Sequence, residues 1–257
     1  MMKTTTLLRP HMRLTVLGRH GPFPAPLCAC SGYLLSAGTK SFVLDLGSGT
    51  FARLIERRPL LDMEAIIISH LHYDHMSDLF VLNYALEAKG RVVDVYAPDE
   101  PTSVFEALCA SKNLIMHKID AGTKFNIGDV SFSFSRTKHG AVCYACRVEY
   151  EGIVFSYTGD TGLCENTETL FSGAHAVLAD AGCSRLDKHA NTAAHLTIED
   201  ALKLFYKNSA KGLIVSHIFG GAVNTPNLSE IADKAPGVFI AEEFSSYIIS
   251  KDGIIPG

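Results

Sequence analysis

The chain has 257 residues, 47% of them apolar, which is enough to bury one sizeable core. Its 23 Lys and Arg are scattered among 27 Asp and Glu for a formal net charge of −4, which excludes the global positive field that draws a protein onto nucleic acid or anionic lipid. Seven cysteines, at spacings that suggest no disulfide framework, read as reduced thiols of a cytoplasmic protein.

Residues 1–11 carry a little positive charge but no apolar stretch long enough for a signal peptide, and no later segment approaches a membrane span. They are read as an N-terminal extension to a single domain over 12–257, expected to be soluble and unexported. From Met12 the pattern runs MRLTVLG, a Gly/Pro-rich loop (RHGPFPAPLCAC), then SGYLLSAG and SFVLDLGSG, which read as strands separated by turns. TFARLIERR is a short helix, AIIIS a buried strand, and MSDLFVLNYALEAKG an amphipathic helix stopped by Gly90. VVDVYAP follows as a strand and PTSVFEALCAS as a helix opened by Pro101. The second half is similar in kind. KFNIGDVSFSFSRTKHG, CYACRVEYEG, IVFSYTGDTG and HAVLADAG carry strand signals, TIEDALKLFYKN a helical one, and GLIVSHIF, GVFIAEEF and SYIISKDG further strands. Both halves pass from hairpins into strand, helix, strand. That order predicts two similar sheets packed face to face with helices outside, an α/β sandwich and not a single doubly wound sheet.

The run ISHLHYDHMSDL concentrates three histidines and two aspartates directly after an apolar strand. His70 and His72 fall on one side of an extended segment, and Asp74 and His75 at the turn into the next helix, so one segment can feed two adjacent metal ions. Nitrogen and oxygen donors of this kind suit Zn2+, with Mn2+ or iron as other ions the set accommodates. Four donors from one segment cannot close two sites, so more must come from other strand ends. His139 ends FSFSRTKH, Asp160 ends IVFSYTGD and His217 ends GLIVSH, each before a turn or loop.

With these residues in view the chain resembles the metallo-β-lactamase superfamily over nearly its whole length from Met12. The resemblance implies a four-layer αββα sandwich with a dinuclear metal site on one edge. It implies that His70, His72 and His139 bind one divalent ion and Asp74, His75 and His217 the other, with Asp160 bridging them. Asp45, in VLDLGSG, matches an early Asp-x-Gly and is expected to buttress the metal loop. Within the superfamily two features resemble ribonuclease Z and its small relatives. AHLTIEDALKL matches a His-x-Thr run opening a helix, which makes His195 the proton-donating histidine, and Asp180 in LADAG stands where an acidic residue pairs with it. Asp74, His195 and Asp180 are thereby the expected catalytic residues. The chemistry is a hydroxide between two metals attacking phosphorus in line, while a histidine held by a carboxylate protonates the leaving oxygen.

The sequence also departs from ribonuclease Z. The long tRNA-gripping arm is missing, because His139 and Asp160 are joined by GAVCYACRVEYEGIVFSYTG, two strands and a tight turn. The arginine that usually follows the last metal histidine is absent from HIFGGAVNT, which leaves Arg185 and Lys188 as candidates to hold phosphate or to be plain surface charges. Without arm or basic field, a small phosphodiester such as a cyclic nucleotide or short oligonucleotide is the expected substrate. A tRNA 3′-end endonuclease is the alternative, as is a lactonase or thioesterase, although the latter has no obvious use for Asp180 and His195. A module that has lost catalysis is disfavoured by the complete ligand set. No membrane partner is expected, and a homodimer is the assembly family members often adopt. Cys143 and Cys146 read as core thiols. Cys28 and Cys30 lie in the Pro-rich loop with a reactive or metal-sensing role open, and Phe23 reads as a loop anchor or a stacking ring. His20, His117, His175 and His189 have no partner at a recognised spacing.

Overall fold

The structure, a computed structural model, describes residues 11–59, 61–187, 191–219 and 225–257. The alternation of apolar residues along each strand decides its layers. In Lys40–Leu46, Phe42 and Leu44 face one core and Val43 another; Ala65 and Ile67 are split from Ile66 in the same way, and Ile214 from Leu213 and Val215. Three separate cores result. The central one joins Leu14, Leu35 and Phe42 of one sheet to Phe132, Val148 and Phe155 of the other, with Phe42 and Phe132 edge to face at 4.9 Å. A second core packs the first sheet against helices Thr50–Arg57, Leu79–Ala88 and Thr102–Cys109 through Leu54, Leu82 and Leu108. The third packs the other sheet against Glu165–Phe171, Ile198–Lys207 and Thr225–Ala232 through Phe171, Leu204 and Leu228. Three cores need four layers, and the αββα sandwich is what the sequence led us to expect. Among the described residues no helix is long and apolar enough to cross a membrane.

The first sheet has eight strands, in the order Gly253–Pro256, Ser246–Ser250, Met12–Gly18, Gly32–Ala37, Lys40–Leu46, Ala65–Ile67, Val93–Ala97 and Leu114–Lys118. It is antiparallel as far as Lys40–Leu46 and parallel beyond. The second has seven: Val238–Ile240, Leu213–Ser216, Ala176–Asp180 and Ile153–Tyr157 run parallel, and Tyr144–Tyr150, Val130–Arg136 and Lys124–Ile127 continue antiparallel. Each sheet thus has a parallel half, and the carboxyl ends of those strands carry Asp45, His70, Asp160, Asp180 and His217.

The structure alters several expected elements. The helix expected over 76–90 spans only Leu79–Ala88 and follows a separate short helix, Tyr73–Met76; the Asp78 carboxylate between the two accepts the Phe51 N–H at the start of Thr50–Arg57. Gly90, at φ 61°, stands one residue past the C-cap Lys89, where the left-handed turn leaves the helix. Pro101 is the N-cap of its helix and not its first residue. The strand expected over GLIVSHIF breaks at His217, which adopts φ 58°. Leu114–Lys118, Glu165–Phe171, Thr225–Ala232 and Gly253–Pro256 are elements the patterning did not reveal.

Candidate metal centre

The four donors picked out by spacing and the three picked out at strand ends converge at the edge where the parallel strands end. His70 Nε2 lies 2.9 Å from His72 Nδ1, His139 Nε2 3.3 Å from the same His72 nitrogen, and Asp160 Oδ2 3.6 Å from His70 Nε2. A second group adjoins it: Asp74 Oδ2 is 3.4 Å from both His75 Nε2 and His217 Nε2, and Asp160 Oδ1 is 3.2 Å from the former and 3.4 Å from the latter. Asp160 therefore turns one oxygen to each group. His70, His75 and Asp160 are buried, whereas His72 is exposed to solvent.

The outer hydrogen bonds fix which nitrogen of each ring faces inward. Asp45, fully buried, accepts the Ser69 N–H at 2.7 Å, the Ser69 hydroxyl at 2.8 Å, His75 Nδ1 at 2.7 Å and the Tyr157 hydroxyl at 2.6 Å. Because Ser69 Oγ donates to Asp45, it is an acceptor for His70 Nδ1 at 3.0 Å. His139 Nδ1 donates to the Ala194 carbonyl at 3.2 Å, and His217 Nδ1 faces Asp180 Oδ1 at 3.3 Å. With the outer nitrogens so occupied, the inner nitrogens present lone pairs to one another and to carboxylate oxygens. His75 Nε2 and Asp160 Oδ1 are buried with no hydrogen-bond partner. A buried polar atom left unpaired is costly, and two of them facing one point call for a cation between them. Divalent metal fits this donor set: imidazole and carboxylate in the proportions that suit zinc or a similar ion.

The electrostatics agree. Burial works against charge on His75 and His217, yet Asp160 and the neighbouring carboxylates hold both rings' protons well above the ordinary histidine range. Burial likewise opposes the Asp160 carboxylate, but His217, His75 and His70 hold it well below the usual carboxylate range. The cluster demands positive charge at its centre, which a proton or a metal ion can supply.

His195 and Asp180 meet beside the second group. His195 Nδ1 is 2.8 Å from Asp180 Oδ2, its ring stacks on His217 with centroids 5.1 Å apart, and Asp180 Oδ2 also accepts the Thr161 N–H at 3.0 Å. Burial lowers the affinity of His195 for its proton, but Asp180 outweighs it and the pKa is raised. His195 precedes Thr197, whose hydroxyl caps Ile198–Lys207 by accepting the Asp200 N–H, so the helix start fixes the histidine's approach.

Other singled-out residues fall elsewhere. The Arg185 guanidinium pairs with Asp200, whose carboxylate also accepts from Thr197, and is thus held on the helix start; Lys188 and His189 lie outside the described residues. His20 is buried against Glu243, His117 pairs with Asp94 at 2.6 Å, and His175 accepts the Val154 N–H. Phe23 packs edge-on against Phe219 at 5.3 Å, the loop-anchor arrangement. All seven cysteines are free, and burial pushes the Cys30 and Cys143 thiols up to about 12, so both are protonated core groups. Sequence reasoning missed Ser69 and Tyr157, the two donors that share Asp45 with His75. Nothing in local spacing marks Tyr157, which lies in a buried strand and meets Asp45 across the sandwich.

A Beta-lactamase superfamily domain matches residues 42–218, a stretch that contains the seven donors together with Asp180 and His195. The chain belongs to the metallo-β-lactamase superfamily. It is 25% identical over 213 residues to the probable metallo-hydrolase YhfI of Bacillus subtilis, covering 80% of this chain and 87% of that protein. The crystal structure of YhfI superposes with a TM-score of 0.84 over 93% of this chain and 99% of its own. Ribonuclease Z of Mycobacterium bovis is 25% identical over 195 residues, 65% of this chain and 69% of the enzyme. Human tRNase Z, short form, shares the fold at 18% identity with a TM-score of 0.76 over 93% of this chain and 99% of the human one. The donor set and these metallo-hydrolase relatives together support a hydrolase that uses divalent metal ions.

Proposed function

We propose that this protein is a dinuclear metallo-hydrolase that cleaves small phosphodiesters, cyclic nucleotides or short oligonucleotides, with His195 as general acid. The observation that carries this reading is the His195–Asp180 pair at 2.8 Å, beside a cluster that already contains a complete donor set. His70, His72 and His139 would hold one cation and Asp74, His75 and His217 the other, with Asp160 shared. Two bound divalent cations supply Lewis acidity toward the phosphoryl oxygens and a water acidic enough to attack at neutral pH.

The remaining steps belong to the chain. Asp180 holds Nδ1 of His195, so the other ring nitrogen is the one that can hand a proton to a departing alkoxide. The same carboxylate faces His217 through its second oxygen, which couples the orientation of the acid to that of a metal-site histidine. Asp74 sits 3.4 Å from His217 Nε2, among the donors that would hold the second cation. A lactone's leaving oxygen can also take a proton from such a pair, and the phosphodiester is preferred because ribonuclease Z, a phosphodiester-cleaving relative by name, is among the similar chains.

A tRNA 3′-end endonuclease is the second reading, favoured by that same relative. Between His139 and Asp160 the structure has only the hairpin Tyr144–Tyr150 and Ile153–Tyr157, with no inserted arm, which supports the smaller substrate. The test is turnover of bis(p-nitrophenyl) phosphate, 2′,3′- and 3′,5′-cyclic nucleotides and a precursor tRNA by zinc- and manganese-loaded protein. Hydrolysis of the small diesters without tRNA cleavage is expected. Cleavage of precursor tRNA alone would move the assignment to the endonuclease, and hydrolysis of lactones or thioesters alone would refute phosphodiester chemistry.

A further inference from the structure

A cleft of about 710 Å³ opens between the loop after Ala65–Ile67 and the loop after Val130–Arg136. His72 is part of its wall, so the cleft adjoins the group formed by His70, His72, His139 and Asp160. Its volume lies within the range of sites that take a drug-sized or nucleotide-sized ligand.

Three features describe what fits there. Val104 and Val142 give it apolar surface, and Tyr73, between His72 and Asp74, lines it while remaining 70% exposed. Scattered exposed aromatics are commonplace; this one lies in a cleft, on the loop that supplies the metal donors. Arg136 is anchored by Nη1 to the Ala141 and Cys143 carbonyls at 3.1 and 3.0 Å and rests over the Tyr144 ring, with the other guanidinium N–H groups unpartnered among the described residues. Glu100, an acidic residue, belongs to the same lining. A cleft lined by an exposed aromatic ring, an anchored guanidinium and an acidic residue suits a group that has a π face and a polar edge carrying both acceptors and donors. That is the chemistry of a nucleobase.

We infer that this cleft receives the nucleoside part of the substrate, with the base stacked on Tyr73 and its polar edge toward Arg136 and Glu100. The inference rests on the phosphodiesterase reading and adds to it the place where the base binds. It also explains how a chain with no basic field can select nucleotides, since stacking tolerates low charge where phosphate contacts do not.

The test compares kcat/KM for methyl p-nitrophenyl phosphate with that for thymidine 5′-(p-nitrophenyl phosphate), two diesters with one leaving group. The nucleoside diester is expected to be preferred. Tyr73→Ala should lower that preference about tenfold, in the range one base stacked on one aromatic ring contributes, and Tyr73→Phe should restore it. Val104→Glu, on the helix Thr102–Cys109 and not on the segment that carries His72 and Asp74, should lower it too. An unchanged preference in Tyr73→Ala and Val104→Glu overturns the inference. Saturation transfer from zinc-loaded protein to the base protons of thymidine 5′-phosphate, lost in Tyr73→Ala, separates the two claims. If it is seen while no diester is cleaved, the cleft assignment holds and the phosphodiesterase reading falls; diester cleavage with no transfer reverses that outcome.

Discussion

Asp45 shows how much of the site is decided by one side chain that touches no substrate. Its two oxygens accept four hydrogen bonds in a fully buried position, and it holds a left-handed backbone at φ 56°. Asp45→Ala would strand Ser69, His75 and Tyr157 donors, at a cost of about 3–5 kcal/mol by the measure of broken buried charge networks, and loosen His75 enough to weaken metal binding about 10–100-fold. Denaturant unfolding and metal analysis check the two numbers separately; full metal content in a folded Asp45→Ala protein would refute the buttress role. His195→Ala is expected to keep its metal while turnover falls by about 10²-fold or more. Loss of metal in that variant would instead mark His195 as a ligand.

At the scale of elements, the centre is built from loops leaving parallel strands, and its precision depends on close approaches between them. A Cβ on Gly21 would stand 1.9 Å from His217 Nε2, so Gly21→Ala should displace that ring and reduce metal stoichiometry, read by metal analysis of the folded variant. Glu243 ties the loop between Met12–Gly18 and Gly32–Ala37 to the turn before Ser246–Ser250. It accepts the Ala29 N–H at 2.9 Å, pairs with Arg53 at 2.8 Å and faces His20 at 3.6 Å. Burial raises its pKa, but His20, the Ala29 N–H and Arg53 prevail and the pKa is lowered. A carboxylate depressed in the folded state stabilises it above its unfolded pKa, and that contribution disappears as pH falls through the folded value. Glu243→Gln should therefore cost about 1–2 kcal/mol at pH 7, with the difference from wild type shrinking below about pH 4.5; a gap that stays constant to pH 3 would contradict this. The convergence of the seven side chains at one edge was legible in the sequence because four of them share one segment and the others end strands of obvious pattern. Ser69, Tyr157 and Glu243 were not, since their roles arise from partners brought together only by the sandwich, as with Tyr157 and Asp45, 112 residues apart. Edge strands such as Leu114–Lys118 escaped notice for a related reason: only Leu114 in it is buried, so no alternation shows.

For the whole molecule, the two sheets act as a frame that forces like-charged and lone-pair groups into one buried point. Folding stabilised by three apolar cores tolerates this, but the cluster opposes the fold unless a cation occupies it. Removing metal with a chelator should therefore lower Tm, and re-adding zinc at about 1,000 times its Kd should restore about 4 kcal/mol per site. A Tm indifferent to chelation would show that the inward donors are satisfied without metal. The fold itself was readable because strand alternation and helix periodicity sort the apolar residues into layers; what lies in the cleft beside His72 was not, because its walls come from segments far apart in sequence. A two-metal site that cleaves phosphodiesters is tested most directly by a zinc titration of chelator-stripped protein followed by bis(p-nitrophenyl) phosphate hydrolysis. Activity should rise to a plateau at two equivalents per chain. A plateau at one equivalent, or no hydrolysis at any loading, would contradict it.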